Sequence, residues 1–286
     1  MSVAFLGTGL LGSGFVEGLL AGGSTVHVWN RTAARAAPLV TKGATLAGTP
    51  AEAVIGAERV HLCLAEDTAV DAVLDALLPA LAAGTPIIDH TTNSPVGTAA
   101  RCARLDAAGV VYQPAPVFMG PSNARDRTGI MLASGPRDRF DALAPALTPM
   151  TGKLWWVGER SDLAACYKLF GNAMIIGMIA TLADVFAIAE GAGVSPEDVT
   201  TLFGGFNPGG IVQARGPRMA RGQFSPASFE LVMARKDVRL MLETASTTPL
   251  AVLPGIAARM DTLVQDGFGQ ADLGVLARDA VKLPSA

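Results

Sequence analysis

A glycine-rich turn near the N-terminus constrains the fold of this chain more than any other feature. The short apolar run Ser2–Leu6 predicts a buried strand, and residues 13–20 predict a helix. The six residues between them have the spacing G-x-G-x-x-G: Gly7, Thr8, Gly9, Leu10, Leu11 and Gly12. In a dinucleotide-binding site the first such glycine allows a tight turn, the second lets a pyrophosphate approach the backbone, and the third lets the helix pack against the strand. We therefore predict that these six residues bind a dinucleotide, with the N–H groups of the helix N-terminus facing its phosphates.

The residues after the second predicted strand, residues 25–29, indicate which dinucleotide is bound. At this distance from the turn, an NAD site has an Asp or Glu that binds the ribose 2′-hydroxyl. Here the sequence is Asn30-Arg31-Thr32, which contains no acid. A guanidinium binds a 2′-phosphate through paired hydrogen bonds, whereas a carboxylate would repel it. We therefore expect NADP(H), bound by Arg31 with the amide of Asn30 and the hydroxyl of Thr32 beside it.

Strands and helices alternate along the first half of the chain. Further strands are predicted at residues 60–64, 85–89, 110–112 and 129–133, with helical segments between the earlier ones. This alternation predicts βαβ units and a mainly parallel sheet. Ligands bind beyond the carboxyl ends of such strands. We expect the cofactor to contact Leu64, Ala65 and Thr92 there, although Thr92 fits a helix cap equally well.

The stretch Ser161–Gly191 predicts one long helix, because it is apolar, contains no proline and is followed by Gly193. Its apolar residues surround the whole helix, which is typical of a helix buried on most sides, between domains or between subunits. It is also long enough to span a bilayer. Because the polar residues Lys168, Asn172 and Asp184 lie inside it, we expect no membrane span.

The fold class that follows is α/β with two domains. Residues 1–160 form an N-terminal Rossmann dinucleotide-binding domain. Residues 161–286, where no strand pattern reappears, form a second, all-α domain joined to the first by the long interdomain helix.

Two polar residues of the long helix are the candidate catalytic residues. Lys168 and Asn172 are four residues apart and lie on one face of the helix. An ammonium and an amide on a largely buried helix are costly unless they have partners or a function. We therefore predict that Lys168 and Asn172 are the catalytic pair, with a lysine pKa lowered by burial.

Composition narrows the range of partners and compartments. The net charge is −3, with no cluster of lysine and arginine, so we expect neither nucleic acid nor membrane as a partner. Three cysteines and three histidines lack metal-ligand spacing, so we expect no metal and a cytoplasmic protein with reduced thiols. The apolar N-terminal segment carries Glu17 and no basic residue before Arg31, so we expect it to be retained as structure.

Taken together, several segments resemble the β-hydroxyacid dehydrogenases, which include 3-hydroxyisobutyrate dehydrogenase, tartronate semialdehyde reductase and the glyoxylate/succinic semialdehyde reductases. The resemblance covers nearly the whole length. The segments that carry it are Val3–Gly14, Asp89–Pro95, Ala115-Pro116-Val117, Lys168-Leu169-Phe170-Gly171-Asn172, and Phe229 with Lys236-Asp237. It implies a Rossmann domain followed by a helical domain, assembly into homodimers or homotetramers, and reversible hydride transfer between NAD(P)H and a short carbonyl or hydroxy acid.

The resemblance also implies roles for individual residues. Lys168 matches the catalytic lysine of the family, as general acid in reduction and general base in oxidation. Asn172 matches the amide that orients the substrate. Lys236 matches a residue that closes over the site towards the nicotinamide or the substrate carboxylate, although a solvated lysine is an equally good interpretation.

One segment departs from the family pattern. Where the family has Ala-Pro-Val-Ser-Gly-Gly, this chain has Phe118, Met119 and Gly120 after Val117. We expect these three residues to contact the substrate, together with Lys168 and Asn172. The bulky, apolar side chains of Phe118 and Met119 replace the serine hydroxyl and the bare backbone N–H groups of the family pattern. The identity of the substrate therefore stays open.

Three functions remain as hypotheses. The first is NADP(H)-dependent interconversion of a small hydroxy acid and an aldehydo- or keto-acid. The second is reduction of imines or of a range of carbonyl compounds, which the apolar Phe118 and Met119 suggest. Imine reductases resemble this chain but usually lack the lysine, so Lys168 favours carbonyl reduction. The third is a non-catalytic NADPH-binding regulatory protein, which has no need for a buried lysine–amide pair.

Overall fold

The computed structural model of the protein describes residues 1–281. The chain divides into two compact units, Met1–Asn172 and a second that begins at Ala173. The division therefore falls inside the long helix, 12 residues after the domain boundary expected at residue 160.

A six-stranded sheet forms the centre of the first unit. Its strands are β1 Ser2–Leu6, β2 Thr25–Trp29, β3 Thr45–Leu46, β4 Arg59–Leu62, β5 Ile87–Asp89 and β6 Tyr112–Pro114. All pair in parallel, in the order β3-β2-β1-β4-β5-β6. This is the doubly wound order, which reverses between β1 and β4 and places a ligand crevice beyond the carboxyl ends of those strands. The Rossmann prediction is confirmed.

Helices connect these strands and cover both faces of the sheet. They are α1 Leu10–Ala21, α2 Ala37–Val40, α3 Pro50–Val54, α4 Asp67–Leu77 and α5 Pro95–Ala107. Alternate residues of β1 belong to two different cores: Val3 and Phe5 pack with Phe15 of α1, and Ala4 and Leu6 pack with residues of α3 and α4. Strands buried on both faces are typically apolar, which is why Val3–Leu6 forms a continuous apolar run.

A second, smaller sheet follows. It contains β7 Val117–Phe118, β8 Ile130–Ala133 and β9 Lys153–Trp156, with α6 Pro121–Asp126 and α7 Arg137–Leu147 between them. β7 is antiparallel to β8, and β8 is parallel to β9. Residues 129–133 were expected to extend the parallel sheet, and that expectation is wrong. The sequence gives little sign of this sheet because β7 has only two residues.

The second unit is helical, as predicted. The long helix α8, Leu163–Gly191, begins in the first unit and runs into the second. It is followed by α9 Pro196–Gly205, α10 Gly210–Ala220, α11 Leu231–Ala245 and α12 Leu253–Leu263, then by a π-helical turn Val264–Phe268 and a 3₁₀ segment Leu273–Ala280. No strand occurs among residues 173–281.

Asp184, one of the polar residues inside the long helix, holds the start of α12. Its buried carboxylate accepts hydrogen bonds from the backbone N–H groups of Ala251, Val252 and Leu253 at 2.6, 2.9 and 2.8 Å. Burial acts to raise the pKa of this carboxyl, but the three N–H donors hold it below its usual value. The Asp184 carboxylate is thus hydrogen-bonded to free backbone N–H groups at the start of a helix of the second unit.

Much of the long helix is exposed. By length and composition α8 could cross a bilayer, with a mean hydropathy of 1.9 over its most apolar 18 residues and only 11% of those residues buried. The exposed large apolar side chains include Phe170, Met174, Ile175, Ile176, Met178 and Ile179. Residues 1–281 therefore do not bury this helix on most sides, and the burial expected from the sequence is not found within them.

Candidate active site

The glycine-rich turn joins β1 to α1 in the way the sequence predicts. Gly7 adopts a φ of 102°, and its N–H donates to the Trp29 carbonyl at 2.8 Å. A Cβ on Gly12 would lie 2.0 Å from the Gly7 carbonyl oxygen, so only glycine permits this contact between helix and turn. At Gly9, by contrast, an added Cβ would meet no atom within 4 Å. The backbone here borders open space at the N-terminus of α1, which fits a pyrophosphate.

Asn30 ties the turn to the loop after β2. Its Oδ1 accepts from the Thr8 N–H at 3.0 Å, and its Nδ2 donates to the Thr32 carbonyl at 2.9 Å. Asn30, a predicted cofactor-binding residue, therefore connects two further predicted ones, Thr8 and Thr32. Thr32 and Arg31 are exposed beyond it.

A second arginine, which the sequence interpretation missed, follows Arg31. Arg35 ends the 3₁₀ turn Ala33–Arg35, and both arginines are exposed. Within residues 1–281 neither forms an ion pair with a carboxylate. Two unpaired guanidiniums four residues apart, beyond the end of β2, fit a 2′-phosphate. The spacing Arg-x-x-x-Arg was the signal in the sequence.

The loops after β4 and β5 meet at the same edge of the sheet. The Leu64 N–H donates to Thr91 Oγ1 at 2.9 Å, while Ala65 is exposed next to Leu64. Thr92 is exposed and does not cap α5, because Ser94 does so by accepting from the Gly97 N–H at 3.0 Å. The capping interpretation of Thr92 is thus wrong.

Asp89 organises the loop that carries Thr92. Its buried carboxylate accepts from the Thr91 N–H at 2.9 Å, Asn93 Nδ2 at 2.8 Å and the Tyr112 hydroxyl at 2.5 Å. Burial raises the pKa of this carboxyl, although these hydrogen bonds favour its charged form.

The predicted substrate residues meet the catalytic helix through one aromatic ring. Phe118, in β7, lies against α8 so closely that a Cβ on Gly171 would be 2.2 Å from Phe118 Cζ. Lys168 Nζ lies 4.5 Å from the centroid of the same ring. The structure therefore brings together Phe118 and Lys168, two residues 50 positions apart in the sequence, with the bare backbone of Gly171 providing the space.

Two opposing effects act on the Lys168 ammonium. Lys168 is half-buried, and burial lowers its pKa, as the sequence predicts. The face of the Phe118 ring favours the charged form. Within residues 1–281, Lys168 has no carboxylate partner. Its amine is therefore free to exchange a proton with a ligand, and Asn172, also half-buried, follows one helical turn later.

Met119 and Gly120 complete the predicted substrate segment and are half-buried. The Gly120 N–H already donates to Asn123 Oδ1 at 2.9 Å, so this N–H is not available to a substrate carboxylate. The Phe118-Met119-Gly120 segment thus offers an aromatic ring and a thioether, and few polar groups.

Lys236 lies on α11 in the second unit. It is exposed, and its Nζ forms an ion pair with Asp237 Oδ1 at 2.7 Å. Its proposed role over the nicotinamide remains a prediction.

A buried chain of hydrogen bonds, which no pattern in the sequence indicates, supports the loop before β7. Arg59 Nε donates to His61 Nε2 at 2.9 Å, so the neutral His61 carries its proton on Nδ1 and donates to His90 Nε2 at 2.9 Å. His90 then donates from Nδ1 to the Ala115 carbonyl at 2.8 Å. Burial lowers the pKa of both imidazoles, that of His90 to about 4, and keeps them neutral. Both histidines are buried in the core of the first unit.

Comparison with known proteins agrees with this geometry. Residues 2–158 match the NAD binding domain of 6-phosphogluconate dehydrogenase. The chain is 29% identical to an uncharacterized oxidoreductase of Bacillus subtilis, over 96% of this chain and 98% of that protein. It is 26% identical to the chloroplastic glyoxylate/succinic semialdehyde reductase 2 of Arabidopsis thaliana, over 95% of this chain and 76% of that protein. The solved structure of a Streptomyces aurantiacus imine reductase superposes with a TM-score of 0.88 at 25% identity, over 99% of this chain and 100% of that one.

The contact between Phe118 and Gly171 is testable by a double-mutant cycle. Gly171→Ala places a methyl group inside the Phe118 ring, so we expect it to lower the free energy of unfolding by about 1–3 kcal/mol. In a Phe118→Ala background the same change should be neutral or slightly stabilising, because alanine favours a helix by about 1 kcal/mol over glycine. Urea unfolding of the four proteins measures this coupling.

Gly177→Ala is the matched control, since it lies in the same helix and its added methyl would meet no atom within 4 Å. It should not destabilise either background. Equal destabilisation by Gly171→Ala with and without the Phe118 ring would contradict the contact.

Proposed function

This chain belongs to the family of the 6-phosphogluconate dehydrogenase NAD binding domain and, within it, to the β-hydroxyacid dehydrogenases, and from that membership we propose that it is an NADP(H)-dependent oxidoreductase of small carbonyl compounds. The single observation that carries the proposal is the half-buried Lys168 amine, held over the Phe118 ring without an acidic partner among residues 1–281. A regulatory protein that only bound NADPH would gain nothing from a desolvated amine at this position.

The protein's own residues hold the cofactor and move the proton. The turn at residues 7–12 and the N-terminus of α1 bind the pyrophosphate, and Arg31, with Asn30 and Thr32 beside it, binds the 2′-phosphate. Leu64, Ala65 and Thr92 border the nicotinamide side. The bound cofactor supplies or accepts the hydride.

Lys168 acts as the general acid and base. In reduction its ammonium gives a proton to the carbonyl oxygen, and in oxidation its neutral amine takes the proton of the hydroxyl. Desolvation lowers the pKa of this lysine, which makes the neutral form accessible and the reaction reversible. Asn172, one turn later, orients the reacting oxygen by donating a hydrogen bond.

The substrate segment favours a carbonyl compound with an apolar flank. Phe118 and Met119 supply apolar surface, and the Gly120 N–H is occupied by Asn123. Short aldehydo-acids such as succinic semialdehyde, which the Arabidopsis relative is named for, are the first compounds to test.

Imine reduction is the second candidate, favoured by the aromatic ring at position 118 and by the likeness to the Streptomyces imine reductase. A cyclic iminium ion already carries its proton and needs no general acid. The two candidates therefore differ in their dependence on Lys168.

We further propose that two copies associate through the long helix, in a cytoplasmic protein whose three cysteines are free. The exposed apolar side chains of α8 form a surface too large to remain in water. A second copy of the same helix matches it, whereas Asp184 and Lys168 make the helix a poor membrane span.

Replacement of Lys168 separates the two candidate reactions. Lys168→Met should lower kcat for succinic semialdehyde and glyoxylate by about 10²- to 10⁴-fold, because the carbonyl oxygen loses its proton donor. NADPH binding, followed by nucleotide fluorescence, should be unchanged. Turnover of a cyclic imine that survives the substitution would assign the protein to imine reduction. Unchanged turnover of the carbonyl acids would remove Lys168 from the mechanism.

Cofactor selectivity tests the arginine site. Arg31→Gln should raise KM for NADPH by about 10- to 100-fold, since a charge-assisted contact to the 2′-phosphate is lost, and should leave KM for NADH unchanged. Arg35→Gln measures how much the neighbouring guanidinium contributes. If neither variant alters the NADPH to NADH ratio, the 2′-phosphate is bound elsewhere.

Light scattering tests the association. The purified protein should have the mass of a dimer or a larger even assembly, and Ile176→Lys should shift it towards monomer by placing a charge in the interface. Val96→Lys, at an exposed apolar residue of α5, is the control and should have no effect. A monomer at every concentration, or co-sedimentation of the protein with lipid vesicles, would reject the proposal.

A further inference from the structure

A cavity lies at the edge of the six-stranded sheet opposite the glycine-rich turn. It has a volume of about 220 Å³, which is room for a small organic molecule. Met1, Ser24 and Arg59 reach it from the amino ends of β1, β2 and β4. The dinucleotide crevice lies beyond the carboxyl ends of the same strands, about 16 Å away for a five-residue strand such as β1.

The cavity walls are mostly apolar. They come from one face of α1 and from the end of α7 with the turn that follows, and include Phe15, Leu19, Pro145, Pro149 and Met150. Two arginines, Arg59 and Arg127, interrupt this apolar lining.

Arg59 is a buried charge that forms no ion pair among residues 1–281. The residue is 6% exposed, and its two protein contacts are both neutral: Nε donates to His61, and Nη1 contacts the Met1 sulfur. Within residues 1–281 no carboxylate forms an ion pair with it. A guanidinium has five N–H donors, so several remain unused. Burial is costly for such a charge and lowers the pKa of this arginine, and the nearby Glu58 carboxylate only partly offsets that effect.

Arg127 places a second guanidinium on the same cavity. It ends α6 with a φ of 59°, a conformation that a side-chain-bearing residue rarely adopts. Its Nη2 donates to the Gly18 carbonyl at 2.6 Å, and a Cβ on Gly22 would lie 2.8 Å from the same nitrogen. The C-terminal turn of α1 therefore leaves room for this side chain and holds it through one carbonyl. No carboxylate pairs with Arg127 among the described residues.

We propose that this cavity binds a small organic carboxylate with an apolar body, its carboxylate group between Arg59 and Arg127 and its apolar part against Phe15, Leu19 and Met150. Guanidinium groups match a carboxylate through paired hydrogen bonds. A single carboxylate on an apolar body suits these walls better than inorganic phosphate, whose larger charge would lose its hydration against them. The site is distinct from the crevice that holds the cofactor and from Lys168.

Calorimetric titration of the full-length protein with benzoate, in the presence of saturating NADP⁺, tests the site. We expect one saturable site per chain. Arg59→Met keeps the apolar stem and removes the charge, and Arg127→Asn removes the charge with a residue that tolerates the left-handed backbone. Each should weaken benzoate binding by about tenfold or more, because each removes a charge-assisted contact.

Two matched variants locate the binding. Arg125→Gln changes an exposed arginine of the same helix, which pairs with Glu17 at 3.4 Å, and should leave benzoate affinity unchanged. Lys168→Met should also leave it unchanged. Loss of binding in Lys168→Met, with retention in the two cavity variants, would place the carboxylate in the catalytic crevice and overturn the proposal. Absence of any saturable binding to the wild-type protein would overturn it as well.

A measurement on the unaltered protein covers the case in which Arg59→Met does not fold. In crystals soaked with 4-bromobenzoate, the anomalous bromine peak should lie between Phe15, Leu19 and Met150. A peak only at other positions, or none, would reject the site whatever the variants show.

Discussion

The contact between the Phe118 ring and the backbone of Gly171 underlies the arrangement of the candidate active site. It joins a two-residue strand of the small sheet to the first turns of the long helix. A residue with a Cβ at position 171 would push the ring away. The Lys168 ammonium in turn lies over this ring, with Nζ 4.5 Å from the ring centroid. The position of the proposed general acid, the shape of the proposed substrate surface and the electrostatics of the amine thus depend on one packed contact.

That contact also explains how a lysine can work in both directions of a reversible reaction. Desolvation disfavours the ammonium, and the face of the aromatic ring favours it. A carboxylate in place of the ring would bind the ammonium firmly and keep it charged. An aliphatic residue there would leave desolvation unopposed. The effect of the aromatic ring on the protonation of the amine lies between these two extremes. This is a chemical reason for a phenylalanine where the family usually has a serine.

Local signals in the sequence predict most strands of the large sheet, the glycine-rich turn and the long helix. The glycine spacing of residues 7–12 and the absence of an acid near Arg31 are patterns of neighbouring residues, so the sequence alone shows them. The phosphate contacts that they indicate remain predictions. The missed features join residues far apart in the chain: Gly171 with Phe118, Asp89 with Tyr112, and His61 with His90. Arg59 precedes the strand predicted at residues 60–64, and only the structure shows that it is buried without an ion pair.

The electrostatic environment differs between the two ends of the parallel sheet. At the carboxyl ends, the N-terminus of α1 offers free N–H groups, so the backbone itself attracts phosphate and arginines are needed only for the 2′-phosphate. At the amino ends, the same helix presents carbonyl oxygens, which repel anions. A carboxylate can bind there only if cations outweigh those carbonyls. Two arginines supply those cations: Arg127, held on the Gly18 carbonyl, and Arg59, which forms no ion pair among residues 1–281.

The long helix carries three kinds of surface, and their separation follows from its sequence. Its first turns bear Lys168 and Asn172, the proposed catalytic pair. Its middle bears apolar side chains exposed to solvent, and its last third bears Asp184, whose carboxylate accepts from the start of α12. The proposed reaction and the proposed association therefore draw on different residues of one helix. A substitution in the exposed middle, such as Ile176→Lys, changes the proposed contact surface without altering a residue of the proposed catalytic pair.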